Sequence, residues 1–223
     1  KLNIRTLTFK GGTHPPHSKK ATENLTIERA NEPKVVVVPM QQHIGATCEP
    51  IVQVGDEVKV GQKIGEAKGF VSSPVHSSVS GKVVAVEPRL YSGGMAVPCV
   101  VIESDMQNTV SAEIAAKGDL SGLSPEDIKR IIKEAGIVGM GGATFPTHVK
   151  LAPPPDKKVD TVILNGAECE PYLTSDHRLM LEYPEDVVFG LQALMKALEV
   201  KKGFIGIETN KQDAIEKVFE AAK

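Results

Sequence analysis

The chain has 223 residues, 41% of them hydrophobic and 24% charged, and its formal net charge at pH 7 is -2. This length allows one large or two small hydrophobic cores, and we expect two; the near balance of acidic and basic residues gives no electrostatic reason to expect nucleic acid as a partner. No stretch approaches the roughly 18 apolar residues that a membrane span needs, so we expect any membrane association to be peripheral and to depend on a partner.

The first predicted element is an extended leader over residues 1–34. It contains GGTHPPHSKK, whose glycines and prolines disfavour helix and strand. A surface arm is the simplest interpretation. From residue 35 to residue 104, short apolar runs have a period of two and are separated by glycines or prolines. This pattern predicts a small all-β domain of short strands over residues 35–104.

Two segments of this β domain resemble the halves of a barrel-sandwich hybrid, the lipoyl-like fold that lipoyl and biotinyl carrier domains share. VGDEVKVGQKIGEAKG contains Gly55 and Asp56 in a VGD turn. SPVHSSVSGKVVAVE contains Pro74 and Gly81 at the matching places of the second half. The resemblance implies the same fold here. It leaves a prosthetic-group carrier open as an alternative function, because Lys68 lies between the two halves.

A capped helix follows a polar connection, and from there the hydrophobic period is 3.6 instead of two. Ser124 is its predicted N-cap, Pro125 its first residue and Asp127 the second half of a capping box. Gly136 ends it. We therefore predict a second domain, of a different structural class, over residues 105–223.

Strands and helices alternate in the rest of this second domain. We predict strands over residues 159–165 and 203–208, a helix over about 184–200, and a last helix capped by Thr209 or Asn210. This alternation is typical of a parallel, Rossmann-like sheet, so the fold class is α/β plus all-β. Because a parallel sheet is covered on both faces and two strands are few, we expect further sequence to complete the domain.

The cysteines predict neither disulfides nor a metal site. Cys48, Cys99 and Cys169 are odd in number, lie far apart and form no CxxC pair. Such a set is typical of a reducing compartment. Zinc and iron–sulfur sites need about four ligands with at least one close pair, so we expect no metal bound by this chain.

The first candidate site is a glycine-rich loop over residues 136–150, GIVGMGGATFPTHVK. Glycines allow backbone N–H groups to approach a ligand closely, and a run of them can form an anion-binding nest for a phosphate. Lys150 would add a positive charge. The loop matches neither a Walker loop nor GxGxxG, so an ordinary turn is the alternative interpretation.

The second candidate site, NGAECEPY over residues 165–172, follows a predicted strand. Open α/β folds bind ligands at the carboxyl ends of their strands. Asn165, Glu168 and Glu170 offer an amide and two carboxylates to a flavin edge, to ribose hydroxyls or to a nicotinamide amide. A solvated acidic turn is the alternative. We expect Cys169 to be unreactive, because neighbouring carboxylates disfavour the thiolate.

Together the two candidate sites resemble the flavin- and NADH-binding subunit of respiratory complex I. GMGGATFPTHVK is similar to that family's GRGGAGFPTGxKW, and NGAECEPYLTSDHR is similar to its NADExEPGTxKDR. The detailed sequence, with the leader and the barrel-sandwich hybrid in front, is closer to the C subunit of the Rnf ion-translocating oxidoreductases. This second resemblance extends over essentially the whole chain.

The resemblance implies that the chain binds FMN and NADH. The implied FMN contacts are Gly139, Gly141, Gly142, Lys150, Asn165 and Glu168. The glycines would approach the phosphate and ribityl chain, Lys150 the phosphate or the ring, and the other two the isoalloxazine edge. Phe145 would stack on the nicotinamide or adenine of NADH, and Glu170 would accept hydrogen bonds from the dinucleotide.

Two departures from the complex I pattern bear on ligand contacts. Met140 stands where that family has arginine, and Ala167 where it has aspartate. Contacts that those side chains make to flavin or dinucleotide are therefore absent, which leaves the pose of NADH open. No catalytic acid or base is implied.

The family resemblance also implies a function and partners. The chain would be part of an electron-transfer subunit of a membrane-bound ferredoxin:NAD oxidoreductase, at the cytoplasmic side of the bacterial membrane, with the other subunits as partners. Electrons would pass between NADH, flavin and two [4Fe–4S] clusters that have no counterpart before Lys223, so we expect this piece alone to be inactive. The coupling ion, Na⁺ or H⁺, stays open. A docking module with a lipoyl-like domain is the alternative.

Overall fold

A computed structural model describes residues 6–8, 10–92, 94–140 and 143–223 of the chain. The chain divides into two compact units, which we call the barrel unit (residues 30–157) and the α/β unit (residues 1–29 and 158–223). This grouping by packing differs from the predicted domains, because the leader lies with the α/β part and the glycine-rich loop with the β part. The predicted domain limits at residues 34 and 104 stay a prediction.

Short antiparallel strands form the framework of the barrel unit, as the period of two predicts. They are β1 (Val35–Pro39), β2 (Glu49–Pro50), β3 (Glu57–Val58), β4 (Lys63–Glu66), β5 (Val75–His76), β6 (Gly81–Leu90) and β7 (Ala96–Ser104). One sheet has the order β1-β7-β6-β3 and the other β2-β4-β5. Alternate side chains enter one core, in which Ile64, Val83 and Ile102 are fully buried. Burial of these apolar side chains is the main stabilising contribution.

The predicted capped helix is present in the barrel unit as α1 (Pro125–Glu134). The hydroxyl oxygen of Ser124 accepts from the backbone N–H of Asp127 at 3.1 Å, and the Asp127 carboxylate accepts from the N–H of Ser124 at 3.2 Å. The capping box is thus confirmed. A four-residue helix, α2 (Thr147–Lys150), follows within the glycine-rich loop and was not predicted.

The described part of the α/β unit contains two parallel strands and three helices. They are β8 (Thr161–Gly166), α3 (Ser175–Glu182), α4 (Pro184–Ala197), β9 (Lys202–Ile207) and α5 (Gln212–Ala221). β8 and β9 pair in parallel from Thr161 and Lys202 onward, so the predicted strands and their direction are confirmed. Met180, Val188, Ala214 and Val218 form the core between the helices.

Two features of the α/β unit differ from the sequence predictions. Helix α3 was not predicted. The prediction that Thr209 or Asn210 caps the last helix is wrong, because α5 begins at Gln212 after Lys211, which makes no side-chain cap. The side chain of Lys211 is instead buried, with 1% of its surface exposed. Among the described residues, we find no helix long and apolar enough to cross a membrane.

Candidate functional site

A backbone hydrogen bond closes the glycine-rich loop. The N–H of Gly139 donates to the carbonyl of Phe145 at 2.9 Å. At the end of α1, Gly136 has a φ of +69°, and a Cβ there would lie 2.4 Å from the carbonyl oxygen of Pro74. Only glycine combines this positive φ with so close an approach to the strand β5 segment. The loop therefore leaves α1 tightly packed against the barrel.

Three predicted cofactor contacts lie together in this loop. The ammonium of Lys150 lies 5.9 Å from the ring centroid of Phe145. A Cβ placed on Gly139 would lie 3.8 Å from the same ammonium. Lys150 is exposed and Phe145 is half-buried. A cation beside a glycine backbone and an aromatic face has the chemistry to hold a phosphate next to a planar ring.

Two further cofactor contacts are predicted in this segment. Gly141 and Gly142 lie outside the described residues. Met140, which replaces the arginine of the complex I pattern, is 92% exposed. An apolar side chain in that position offers no charge to a ligand, although its exposure leaves it able to pack against one.

His148 fastens the loop to the barrel and was not singled out from the sequence. Its Nε2 lies 3.3 Å from the carbonyl oxygen of Phe70, and the two rings are in edge contact with centroids 6.5 Å apart. Its Nδ1 is buried without a hydrogen-bond partner among the residues that the structure describes. Burial lowers the pKa of His148 below its usual 6.5. The complex I pattern has glycine here, and that difference is the only signal in the sequence.

The second candidate site, residues 165–172, runs from the end of β8 into the segment before α3; we call residues 167–174 the acidic loop. Glu168, with a φ of +47°, turns its carboxylate toward the first turn of α3. Its Oε1 accepts from the N–H of Asp176 at 2.6 Å and its Oε2 from that of His177 at 3.2 Å. The N-cap residue Thr174 makes no side-chain cap bond. Glu168 thus caps the helix in its place.

Asn165 and Glu170 differ in how much of their side chain is engaged. The amide oxygen of Asn165 accepts from the N–H of Ala167 at 3.1 Å and so turns the chain out of β8. Glu170 is exposed to solvent. Desolvation and the negative charge of Glu168 raise the pKa of the neighbouring Asp176. The contacts of Asn165, Glu168 and Glu170 to flavin and dinucleotide stay predictions.

Two buried lysines donate hydrogen bonds to backbone carbonyls of the acidic loop. Neither was predicted from the sequence. Lys19 of the leader is 5% exposed and donates to the carbonyl oxygens of Glu168, Glu170 and Leu173 at 2.8, 2.9 and 2.5 Å. The ammonium of Lys211 donates to the carbonyl oxygen of Ala167 at 2.6 Å. Lysine is almost always exposed, so no pattern in the sequence points to this role.

Metal and thiol chemistry have little support in the described parts of the chain. Within those parts, no three His, Cys, Asp or Glu side chains are grouped so that they could hold a metal ion. Cys48 and Cys99 are buried, and burial raises the pKa of both thiols. Cys169 is exposed in the acidic loop as a free thiol. Lys68, the residue that would carry a prosthetic group, pairs with Glu49 at 2.8 Å.

Two protein families match this chain. Residues 7–107 match the RnfC barrel sandwich hybrid domain, and residues 132–223 match the Nuo51 FMN-binding domain. Among solved structures, an NAD⁺-reducing [NiFe]-hydrogenase in the air-oxidized state is 26% identical over 44% of this chain and 18% of that chain. Its TM-score of 0.39 is too low to define a shared fold.

Curated relatives match almost the whole chain. The C subunit of the Na(+)-translocating ferredoxin:NAD(+) oxidoreductase complex of Acetobacterium woodii is 56% identical over 99% of this chain and 50% of that protein. The C subunit of the proton-translocating complex of Clostridium ljungdahlii is 53% identical over 97% and 48%. The C subunit of the ion-translocating oxidoreductase complex of Rhodobacter capsulatus is 41% identical over 96% and 41%. This chain spans about half the length of the curated relatives it matches.

The matches settle the fold class predicted from the sequence. A barrel-sandwich hybrid domain comes first, and a domain of the FMN-binding α/β class follows it. The strands of the barrel unit and the parallel pair β8 and β9 agree with that order. The fold-class prediction is therefore confirmed.

Proposed function

We propose that this chain, which belongs to the RnfC family of C subunits of ion-translocating oxidoreductase complexes, binds FMN and NADH. It would take part in electron transfer between these two cofactors and the rest of such a complex. The observation that carries the proposal is the grouping of Gly139, Phe145 and Lys150 in the loop that begins the FMN-binding match. Gly139 and Lys150 would suit the phosphate of FMN, and Phe145 would suit a planar ring of NADH.

In the barrel unit, the glycine-rich loop would hold the FMN phosphate and ring. Lys150 has an exposed ammonium, which would pair with a phosphate as a point charge. The backbone at Gly139 carries no side chain that would keep a ligand away. The half-buried ring of Phe145 offers an aromatic face to the nicotinamide or adenine of NADH.

In the α/β unit, Asn165 and the acidic loop would supply hydrogen-bonding groups. Glu170 has an exposed carboxylate, which suits ribose hydroxyls or a nicotinamide amide. Asn165 would offer its amide N–H₂, because its oxygen already accepts from Ala167. Both carboxylate oxygens of Glu168 already accept hydrogen bonds from the first turn of α3. Its proposed contact to the isoalloxazine edge would use the same oxygens.

The proposed chemistry needs orientation from this chain and no acid or base. When bound, FMN supplies the exchange between two-electron hydride transfer and one-electron transfer. The residues named above would bind the nucleotides and orient their rings. We assign no residue of this chain to the two [4Fe–4S] clusters, which would supply one-electron acceptors for the flavin.

We further propose the setting in which this subunit works. Its partners would be the other subunits of an Rnf-type complex, and its place would be peripheral, on the cytoplasmic side of the bacterial membrane. The two relatives with the highest identities quoted above are named for different ions, Na⁺ and protons, so they leave the coupling ion of this chain open.

A titration of the full-length subunit tests the cofactor proposal. FMN is added while flavin fluorescence is followed, and NADH is then added to the loaded protein. Lys150→Met is expected to weaken FMN binding about tenfold or more, since a charge-assisted hydrogen bond contributes about 1.5–3 kcal/mol. Lys157→Met removes another exposed lysine of the barrel unit and is expected to change nothing.

The outcomes separate the function from the residue assignment. If the full-length wild-type subunit takes up no FMN, the proposed function is wrong. If it binds FMN and Lys150→Met binds equally well, only the role of Lys150 is wrong. Glu170→Gln, compared with the exposed Glu185→Gln, asks the same question of NADH affinity.

A docking role is the second candidate, and the hairpin of β6 and β7 favours it. These strands pair as far as Leu90 and Ala96, whereas the pairing of β1 with β7 covers residues 99–103. At the far end Leu90 and Met95 are 79% and 74% exposed. Exposed apolar side chains of this size mark interaction sites when they cluster.

Co-purification of the full complex tests this docking role. Leu90→Ser with Met95→Ser in the full-length subunit is expected to reduce recovery of the other subunits. Ile51→Ser, which removes an exposed apolar side chain elsewhere in the barrel unit, is the control. Equal recovery from both variants would leave the docking role without support.

A further inference from the structure

A segment of the leader is bonded along the α/β unit. We call residues 17–27 the strap. The N–H of Tyr172 donates to the carbonyl of His17 at 3.0 Å, and the Thr174 hydroxyl donates to that of Thr22 at 2.7 Å. Farther along, the N–H of Ile27 donates to a Glu182 carboxylate oxygen at 3.0 Å. The strap thus follows the acidic loop and then α3.

Within the strap, Lys19 makes three side-chain hydrogen bonds to the acidic loop. Its three carbonyl partners, at Glu168, Glu170 and Leu173, span six residues of chain. Carbonyl oxygens converge on one point in this way because Glu168 and Tyr172 have positive φ values of 47° and 70°. Non-glycine residues adopt that region at a cost, so something must stabilise the conformation. The buried ammonium does so.

The geometry excludes Lys19 as a direct ligand. An ammonium has three N–H donors, and here each has a carbonyl acceptor in the loop. With 5% of its surface exposed, the side chain offers no donor to a bound nucleotide. Any influence on a cofactor must therefore pass through the conformation of the loop.

Two of these hydrogen bonds hold the backbone of predicted cofactor contacts. Lys19 holds the carbonyls of Glu168 and Glu170, while the Glu168 carboxylate is fixed separately on the N-terminus of α3. The backbone of Glu170 is therefore held from one side, and its carboxylate remains exposed on the other. Without the ammonium, the three carbonyl oxygens would lose the donor they share, which is unfavourable enough to change the loop.

We propose that Lys19 is a positioning residue for cofactor binding: from the leader, it sets the conformation of the acidic loop and so the placement of Glu170. This inference rests on the proposed function, because it takes the loop to be the part of the α/β unit that meets FMN and NADH. It adds a residue far away in sequence from both candidate sites. It also makes the leader a functional part of the α/β unit.

The test uses the full-length subunit and compares Lys19→Met with Lys20→Met. Lys20 is adjacent and exposed. Both variants therefore lose one positive charge, but only Lys19→Met loses the three hydrogen bonds to the loop. Hydrogen exchange is followed at the N–H groups of Tyr172 and Asp176. We expect at least about tenfold faster exchange there in Lys19→Met, with unchanged rates in β8 and β9, because local opening is independent of global unfolding.

Affinity for NADH, measured on the same variants, links the loop to the cofactor. We expect it to fall about tenfold in Lys19→Met, to stay unchanged in Lys20→Met and to recover in part in Lys19→Arg, which keeps a buried cation with several donors. Unchanged exchange in the loop, or faster exchange with unchanged NADH affinity, overturns the proposal.

Two further outcomes are distinguishable. If Lys19→Met exchanges faster throughout the α/β unit, Thr22→Val is examined instead, since it loosens the strap but leaves the ammonium in place. Faster exchange confined to the loop then supports the proposal, and a uniform rise overturns it. If the wild-type subunit binds neither FMN nor NADH, the proposed function fails, and loop exchange alone decides whether Lys19 sets the loop.

Discussion

The Oε1 atom of Glu168 lies 2.6 Å from the backbone nitrogen of Asp176, so a carboxylate from the preceding loop caps α3. A helix leaves its first N–H groups without intrahelical acceptors, and a negative charge at this end also interacts favourably with the helix dipole. Thr174 occupies the usual capping position without making the bond. A residue predicted for flavin contact therefore has a structural role of its own.

Removal of this cap is expected to destabilise the α/β unit. Glu168→Ala should lower the free energy of unfolding by about 1–2 kcal/mol, as loss of a helix cap does. Urea denaturation followed by circular dichroism gives the value. Glu170→Ala, an exposed neighbour in the same loop, should cost no more than about 0.5 kcal/mol. Equal effects of the two substitutions would show that the cap contributes nothing measurable.

Glycine at position 136 is expected to be essential to the barrel unit. Gly136→Ala introduces a Cβ 2.4 Å from the carbonyl oxygen of Pro74 at a φ of +69°. The positive φ alone costs about 1–2 kcal/mol. Gly118→Ala is the control, because φ there is +99° and a Cβ meets no atom within 4 Å. Thermal denaturation should show a larger loss for Gly136→Ala, and similar losses would mean that the contact with Pro74 relaxes without cost.

Local signals made part of the fold predictable. Ser124 and Asp127 lie three residues apart and bond to each other, so the sequence alone contains both halves of the cap. The same holds for the alternation in the barrel strands and for the parallel strands β8 and β9. By contrast, α3 is capped from the acidic loop, seven residues before the helix begins, so its start shows no local signature.

Other features depend on partners far apart in sequence. Lys19 contacts Glu168 across 149 residues, and His148 contacts Phe70 across 78. No spacing pattern in the sequence distinguishes either residue. From the sequence, a lysine in a polar leader and a histidine two residues after a proline would both be expected at the surface. In the glycine-rich loop, three residues that the motif predicts as cofactor contacts, Gly139, Phe145 and Lys150, lie together. Their roles in binding stay predictions.

Acid is expected to weaken the capping box of α1. Hydrogen bonds from the Ser124 hydroxyl and the Arg130 guanidinium lower the pKa of Asp127 from 3.8 to about 2. Because the folded-state pKa lies below the unfolded one, the contribution is present above pH 4 and is lost as the pH falls toward 2. The stability difference between wild type and Asp127→Asn should therefore shrink over that interval. A difference that stays constant from pH 5 to pH 2 would contradict this account.

His148 is expected to make the barrel unit sensitive to mildly acidic pH. Burial lowers its pKa below 6.5, and positive charge from Lys133 and His43 adds to the effect. The unfolded chain binds a proton near pH 6.5 and the folded chain only at lower pH. The contribution of the neutral ring is thus fully present above 6.5 and falls as the pH drops through the lowered pKa. Unfolding in urea from pH 8 to pH 5 measures this slope.

The variant His148→Phe separates this histidine from the others. It keeps a ring against Phe70 but cannot take up a proton, so its stability should depend less on pH than that of the wild type. A residual slope is expected, because burial also lowers the pKa of His76 in the same unit. Since the unpaired Nδ1 is removed with the imidazole, the loss at pH 8 should stay small. An unchanged slope would mean that His148 takes up its proton at the same pH in the folded and unfolded chain, and that burial does not govern its titration.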